Sequence, residues 1–183
     1  MNRPALLGRA ATVLATTAAL WWPMQASAAE PTATAALNGK QTVGSSLFRY
    51  WGFEVYQATL LAGARFDAAR FEQQRFALEL QYRRAFKGRD IAQRSIDEMQ
   101  GIEPLSAQQV ADWQAAMQRA FPDIQPGDRL LGVHEPGSGA RFYFNGQLRA
   151  TVDDPEFSAR FFGIWLSPRT SAPQLREALI AGR

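Results

Sequence analysis

Cysteine is absent from the 183-residue sequence, and His134 is its single histidine. Thiolate and imidazole groups are the usual ligands of transition metals, and thiolates also serve as nucleophiles and as iron–sulfur ligands. The composition therefore excludes the usual sites of these kinds, and we expect neither a metal nor another cofactor. It also excludes disulfides, so an exported domain with this sequence depends on its hydrophobic core for stability.

Long apolar runs are also scarce, and the one that stands out lies near the N-terminus. Residues 10–24 are mostly apolar, two arginines precede them, and Ala26-Ser27-Ala28 follows. This order is typical of a secretory signal peptide. The run is shorter than the roughly 20 residues of a membrane-spanning helix, and no later stretch is apolar for that length. We expect residues 1–28 to be a signal peptide and residues 29–183 to be one exported, periplasmic domain.

An excess of charge of one sign is missing from the expected mature chain. Removal of residues 1–28 takes away two arginines and leaves 18 basic residues against 17 acidic ones, a net charge of +1. This balance gives no electrostatic reason to expect a nucleic-acid partner. The remaining 155 residues suffice for one domain that buries roughly two thirds of the surface of its unfolded chain.

The stretch Gly44–Ala62 is rich in aromatic and β-branched residues. Strand side chains alternate between faces, and both faces of this stretch are apolar, so it predicts a long central strand covered on two sides. Arg49 lies within it, on the face that carries Phe53. A buried guanidinium needs a compensating partner. We expect a ligand anion to be that partner, and backbone carbonyls, Glu54 or Asp97 are the alternatives.

The rest of the pattern predicts further strands and helices in order. Strands are expected in a hairpin around Asn38-Gly39, then at Phe76–Arg83, Arg129–His134, Arg141–Phe144 and Gln147–Val152. Helices are expected at Ile91–Ile102, from Ser106 with Gln109 as capping-box partner, from Pro155, and from Ser171 capped with Gln174. The prediction is an α+β domain, a mainly antiparallel sheet of about six strands with a layer of helices packed on one face. A cleft between such layers is a common site for a small apolar ligand.

A family resemblance is carried by three stretches, Gly44–Leu61, Tyr82–Met99 and Phe161–Leu179. Their order and spacing resemble the chalcone isomerase-like family, in particular its short exported bacterial members. The resemblance covers most of the expected mature chain and implies the family's fold. The family includes plant enzymes that cyclise chalcones to flavanones, and relatives that bind fatty acids without known catalysis.

The resemblance also implies candidate ligand-binding residues, Arg49 and Tyr56. Arg49 matches an arginine common to the enzymes and the fatty-acid binders. Tyr56 stands where the enzymes have threonine and the fatty-acid binders have tyrosine. On a regular strand these two side chains would lie on opposite faces, so we expect a bulge at Gly52 to bring them together. The tyrosine and asparagine that the enzymes use have no counterpart between Lys87 and Ile102.

These residues favour a protein that binds a small amphipathic carboxylate, such as a fatty acid, and does not cyclise chalcones. A guanidinium and one hydroxyl suit a carboxylate. One alternative is an isomerase of the intramolecular-lyase type, with Arg49 and Tyr56 stabilising an oxyanion. Another is an interaction module of the cell envelope. Tyr82 and His134 are interpreted as structural residues with ordinary hydrogen-bond partners.

We predict that protein recovered from the cell envelope begins at Ala29, because the charged start, the apolar run and the Ala-Ser-Ala site occur together. N-terminal sequencing of periplasmic material measures this directly. A mature chain that still begins at Met1 would contradict both the signal peptide and the periplasmic location.

Overall fold

The computed structural model describes residues 33–182, in which six strands form one antiparallel sheet. The strands are β1 (Gln41–Tyr50), β2 (Phe53–Ala62), β3 (Phe76–Tyr82), β4 (Arg129–Glu135), β5 (Gly139–Phe144) and β6 (Gln147–Val152). The α-helices are α1 (Ala33–Ala36), α2 (Gly88–Ile102), α3 (Ala107–Ala120), α4 (Pro155–Leu166) and α5 (Pro173–Ile180), and a 3-10 helix covers Ala68–Gln73. The predicted signal peptide lies outside the described residues. Within residues 33–182, no helix has both the length and the apolar character needed to cross a bilayer.

The sheet is a meander in which each strand pairs with the next one along the chain. The helices α2 and α3 are inserted between β3 and β4, and α4 and α5 follow β6. The predicted α+β class is confirmed, with its six-stranded antiparallel sheet and its helices against the sheet.

The stretch Gly44–Ala62 is a hairpin, so the prediction of one long central strand is wrong. Trp51 and Gly52 join β1 to β2, with φ angles of 52° and 80°. A type I′ turn requires positive φ at both central positions, which glycine adopts without steric cost. The bulge expected at Gly52 is therefore a turn, and the pairing of β1 with β2 is irregular at two other places, between Thr42 and Gly44 and between Phe48 and Arg49. The turn also makes β1 an edge strand of the sheet.

The segment before β1 is helical, so the hairpin predicted around Asn38-Gly39 is also wrong. The alanine-rich residues Ala33–Ala36 form α1, because alanine has the highest helix propensity. Gly39, with a φ of 73°, then turns the chain into β1. Ala36 packs in a small apolar cluster on the face of the sheet opposite the main helix layer, together with Ala77, Leu131, Val133 and Tyr143.

The main core lies between the sheet and the helices α2 to α5. Alternate residues of β3 from Phe76 to Tyr82 point into it and are buried, as their period of two predicts. Helix α4 contributes four buried aromatic side chains to this core, those of Phe157, Phe161, Phe162 and Trp165. Asp154 caps α4 by accepting a hydrogen bond from the Phe157 N–H, and Pro155 occupies the first turn.

Two predicted helix starts have different outcomes. The capping box of α3 is confirmed, because Ser106 and Gln109 exchange the two expected hydrogen bonds. The cap predicted for α5 is wrong, since that helix begins after Ala172 with Pro173 in its first turn. The hydroxyl of Ser171 donates instead to a carboxylate oxygen of Glu98 in α2, at 2.7 Å.

His134 is a buried structural residue of β4. Its Nε2 lies 2.9 Å from the carbonyl oxygen of Glu72, which can only accept, so Nε2 carries the proton. Its Nδ1 then accepts from the Ser158 hydroxyl at 2.7 Å, and the ring stacks on Phe76. The imidazole is therefore neutral in the folded protein, and burial lowers the pKa of His134.

We predict that the free energy of unfolding falls as the pH drops below the ordinary histidine pKa of about 6.5. In the unfolded chain His134 binds a proton in this pH range, whereas in the folded protein its lowered pKa keeps the imidazole neutral. Protonation therefore favours the unfolded state. Each unit of pKa difference contributes about 1.4 kcal/mol. Urea titrations at about pH 7.5 and about pH 5.5 measure the effect, because most carboxylates titrate lower.

The matched control is His134→Gln, which removes the single imidazole of the chain. Its stability should change less between the two pH values than that of the wild type. An equal pH dependence in both proteins would show that His134 is not the group responsible.

Candidate functional site

A cavity of about 300 Å³ lies between the sheet and the helices α2, α4 and α5. Its walls are mainly apolar and include Leu80, Phe121, Leu130, Phe161 and Ile164. This is the cleft that the layered architecture predicts. Its size is near the lower end of the range for small-molecule sites.

Two tyrosines from neighbouring strands line this cavity. Tyr56 of β2 lies directly opposite Tyr82 of β3 in the antiparallel register, and their rings meet edge to face at 5.8 Å. The Tyr56 hydroxyl accepts a hydrogen bond from the Trp165 indole N–H at 3.1 Å. The Tyr82 hydroxyl has no hydrogen-bond partner within residues 33–182, although the side chain is almost fully buried.

Both hydroxyls act as hydrogen-bond donors at neutral pH. Burial raises the pKa of Tyr56 and of Tyr82 above that of an exposed tyrosine, because the phenolate would lose its hydration. Each phenol therefore keeps its proton. The Tyr56 proton is not used in the bond from Trp165, so each ring has an O–H available to an acceptor in the cavity.

The rim of the cavity carries charged and polar groups from α2 and from the start of α5. Arg94 forms an ion pair with Glu98 and lies over the ring of Tyr50, with 5.8 Å between guanidinium carbon and ring centroid. The Glu98 carboxylate also accepts the hydrogen bond from Ser171. After burial and the Trp165 bond, the charges of Glu98 and Arg94 are the next influences on the pKa of Tyr56. Arg94 and Glu98 also line the same cavity as Tyr56.

Arg49 is exposed, so the expectation of a buried guanidinium is wrong. The turn after Tyr50 carries Arg49 to the end of the hairpin, where 55% of its side chain is accessible. It forms an ion pair with Glu54 at 2.8 Å, one of the partners considered from the sequence. A ligand is therefore not needed to compensate its charge, and its role in ligand binding stays a prediction.

The structure places the two predicted ligand residues on adjoining surfaces. Tyr56 lines the cavity, whereas Arg49 lines a surface groove beside β1 and the start of α5. The groove and the cavity share Tyr50, Arg94 and Ser171, so one continues into the other. Arg94 is the cationic side chain that lines both.

Tyr82, which is interpreted from the sequence as a structural residue with an ordinary hydrogen-bond partner, lines the cavity, and its hydroxyl has no such partner within residues 33–182. Arg94 and Trp165 are site residues that the sequence did not single out. The alternation of β3 places Tyr82 on the face of Leu80, and Arg94 follows Ile91 at a helical spacing of three. These signals were present in the sequence. The pairing of Tyr82 with Tyr56 was not, because the register of β2 with β3 cannot be deduced from either strand alone.

Comparison with known proteins places this geometry in context. A sequence model described as chalcone isomerase-like matches residues 30–181. An uncharacterised protein of Haemophilus influenzae is 26% identical over 140 residues, which cover 76% of this chain and 67% of the relative. Among solved structures, a fatty-acid binding protein of Arabidopsis thaliana superposes with a TM-score of 0.60 at 12% identity, covering 78% of this chain and 87% of that one. At this identity the superposition shows a shared fold.

Proposed function

The chain belongs to the chalcone isomerase-like family, and we propose that it binds a small amphipathic carboxylic acid, such as a fatty acid, in the cavity between sheet and helices. The observation that carries the proposal is an apolar cavity with two available phenol donors, those of Tyr56 and Tyr82. A ligand with a hydrocarbon chain and one acceptor group matches the apolar lining and the two donors of this cavity. The Arabidopsis structural neighbour, which is a fatty-acid binding protein, supports the same ligand class.

In the proposed complex, the carboxyl group accepts hydrogen bonds from Tyr82 and Tyr56. Its chain lies against apolar residues such as Leu80, Leu130 and Phe161. A hydrogen bond to a charged group contributes about 1.5–3 kcal/mol, so each phenol that donates to the carboxylate stabilises the complex. Burial of the chain adds about 0.8 kcal/mol for each methylene group.

The countercharge for the carboxylate is proposed to come from Arg94 at the rim. A guanidinium has five N–H donors, so Arg94 can contact a ligand carboxylate and still bind Glu98. Arg49, in the adjoining groove, contributes from further out. Its effect is smaller, because an exposed charge that already pairs with Glu54 is screened by water and salt.

Location in the periplasm is part of the proposal and rests on the sequence of residues 1–28 alone. Native mass spectrometry of protein purified from its host tests the ligand class without prior choice of a ligand. We expect a co-purifying carboxylic acid.

We predict that Tyr82→Phe and Tyr56→Phe each weaken the binding of decanoic acid by roughly tenfold, because each change removes one hydrogen bond to the carboxyl group. Isothermal titration calorimetry measures the dissociation constants. Arg49→Met should weaken binding less than either tyrosine change does.

Tyr143→Phe is the matched control. Tyr143 is a buried tyrosine of β5 whose hydroxyl also lacks a partner within residues 33–182, but it lies in the cluster on the opposite face of the sheet. This variant should bind decanoic acid like the wild type. Equal affinities for wild type and Tyr82→Phe would refute the proposed position of the carboxyl group, and no binding by the wild type would refute the ligand class.

We predict that the protein does not cyclise chalcone above the spontaneous rate. Helix α2 contains neither tyrosine nor asparagine, and both are expected there in a cyclising enzyme of this family. Loss of chalcone absorbance measures the reaction. Turnover far above the spontaneous rate, lost in Tyr56→Phe, would instead support the isomerase alternative.

A further inference from the structure

The tip of the β1–β2 hairpin is an exposed apolar surface at the end of the sheet. Within residues 33–182, the large apolar side chains that are exposed are those of Tyr50, Trp51 and Phe53. They occupy one turn, and Trp51 is 84% exposed. Single exposed apolar residues are ordinary, but a cluster that collects them at one place marks a contact surface.

The backbone of this turn supports a role for Trp51 outside the fold. Trp51 has a φ of 52°, a conformation that is strained for a bulky side chain. The sheet contains a second two-residue turn, Asn145-Gly146, with φ angles of 48° and 87°. That turn has asparagine, which tolerates positive φ well. At the corresponding position Trp51 neither suits the backbone nor packs against the core.

Arginine side chains surround the aromatic tip. The guanidinium of Arg84 lies 4.8 Å from the ring centroid of Phe53, and Arg94 lies over Tyr50. Arg83 and Arg84 are exposed and have no ion-pair partner in the described part of the chain. The nearby Arg49 is paired with a glutamate. The tip therefore combines exposed aromatic rings with a local excess of positive charge.

We propose that this tip, formed by Tyr50, Trp51 and Phe53, docks on an anionic phospholipid membrane. The aromatic rings enter the interfacial layer, where tryptophan and tyrosine are favoured, and Arg83 and Arg84 contact lipid phosphates. The positive charge is complementary to anionic head groups.

Docking would bring the mouth of the cavity to the membrane surface. Trp51 lines the groove beside β1, and that groove shares Tyr50 and Arg94 with the cavity. An acid released from the membrane could then enter the cavity from the docked face. This passage rests on the proposed function, but the docking itself does not.

Co-sedimentation with vesicles of equal parts phosphatidylglycerol and phosphatidylcholine tests the docking. The protein is purified in the form that the cell produces, and its N-terminus is sequenced. Wild type and variants are then compared with the same N-terminus. We expect the wild type to bind these vesicles and Trp51→Asn to bind them roughly tenfold more weakly. The double variant Arg83→Gln with Arg84→Gln should lose the preference over vesicles of phosphatidylcholine alone.

The control for charge is Arg65→Gln with Arg119→Gln, because Arg65 follows the far end of β2 and Arg119 lies in α3. This pair should bind like the wild type. Trp51→Asn should melt no lower than the wild type, since asparagine suits the turn, and Trp51→Gly serves as a second variant if the asparagine protein fails to fold.

The outcomes separate docking from ligand binding. Trp51→Asn should keep the decanoic acid affinity of the wild type in solution, and Tyr82→Phe should keep its vesicle binding. A wild type that ignores both kinds of vesicle, or a folded Trp51→Asn that binds them as the wild type does, overturns the proposal. If the wild type binds neither kind of vesicle, a protein partner becomes the remaining explanation for the exposed aromatic tip.

Discussion

The pairing register of β2 with β3 is the constraint on which the site depends. It sets Tyr56 directly opposite Tyr82 and aligns Ala58 with Leu80 and Leu60 with Leu78. Side chains alternate along a strand, so a slip of β2 by one residue would turn Tyr56 to the face opposite that of Tyr82. The buried aliphatic pairs resist that slip because it would expose them. The burial that stabilises the sheet therefore also holds two tyrosines side by side on the wall of the cavity.

Tyr82 and His134 show two ways in which this core accommodates a buried polar side chain. The Tyr82 hydroxyl has no hydrogen-bond partner within the described residues, and its side chain lines the cavity instead. His134 shows the opposite solution, since both of its ring nitrogens have partners although it is equally buried. The Tyr143 hydroxyl, on the opposite face of the sheet, also lacks a partner within these residues, so a missing partner alone does not mark a functional group. Tyr82 differs from Tyr143 in its position on the cavity wall beside Tyr56.

Most of the fold could be predicted from the sequence because local patterns and tertiary packing agree. The alternation in Phe76–Tyr82, the capping box at Ser106 and the Asp154-Pro155 start of α4 each specify an element that the core then buries. The β1–β2 hairpin could not be predicted in this way. Its apolar residues indicate a buried strand. Asparagine before Gly52 would have been a strong signal for a two-residue turn, whereas tryptophan at that position is not such a signal.

The errors about the site follow from that one hidden turn. If Gly44–Ala62 is read as a single strand, Arg49 is buried beside Phe53 and requires an anion. Because the chain reverses at Gly52, Arg49 lies at the exposed tip and pairs with Glu54. Tyr56 lies in the next strand, where the pairing of β2 with β3 sets it opposite Tyr82. Hydrophobicity predicts burial only where nothing outside the fold requires an apolar surface. Trp51 departs from that rule because its apolar side chain is exposed, and its positive φ departs from the backbone preference of tryptophan. Two independent departures at one residue are better explained by a contact outside the fold than by the stability of the fold itself.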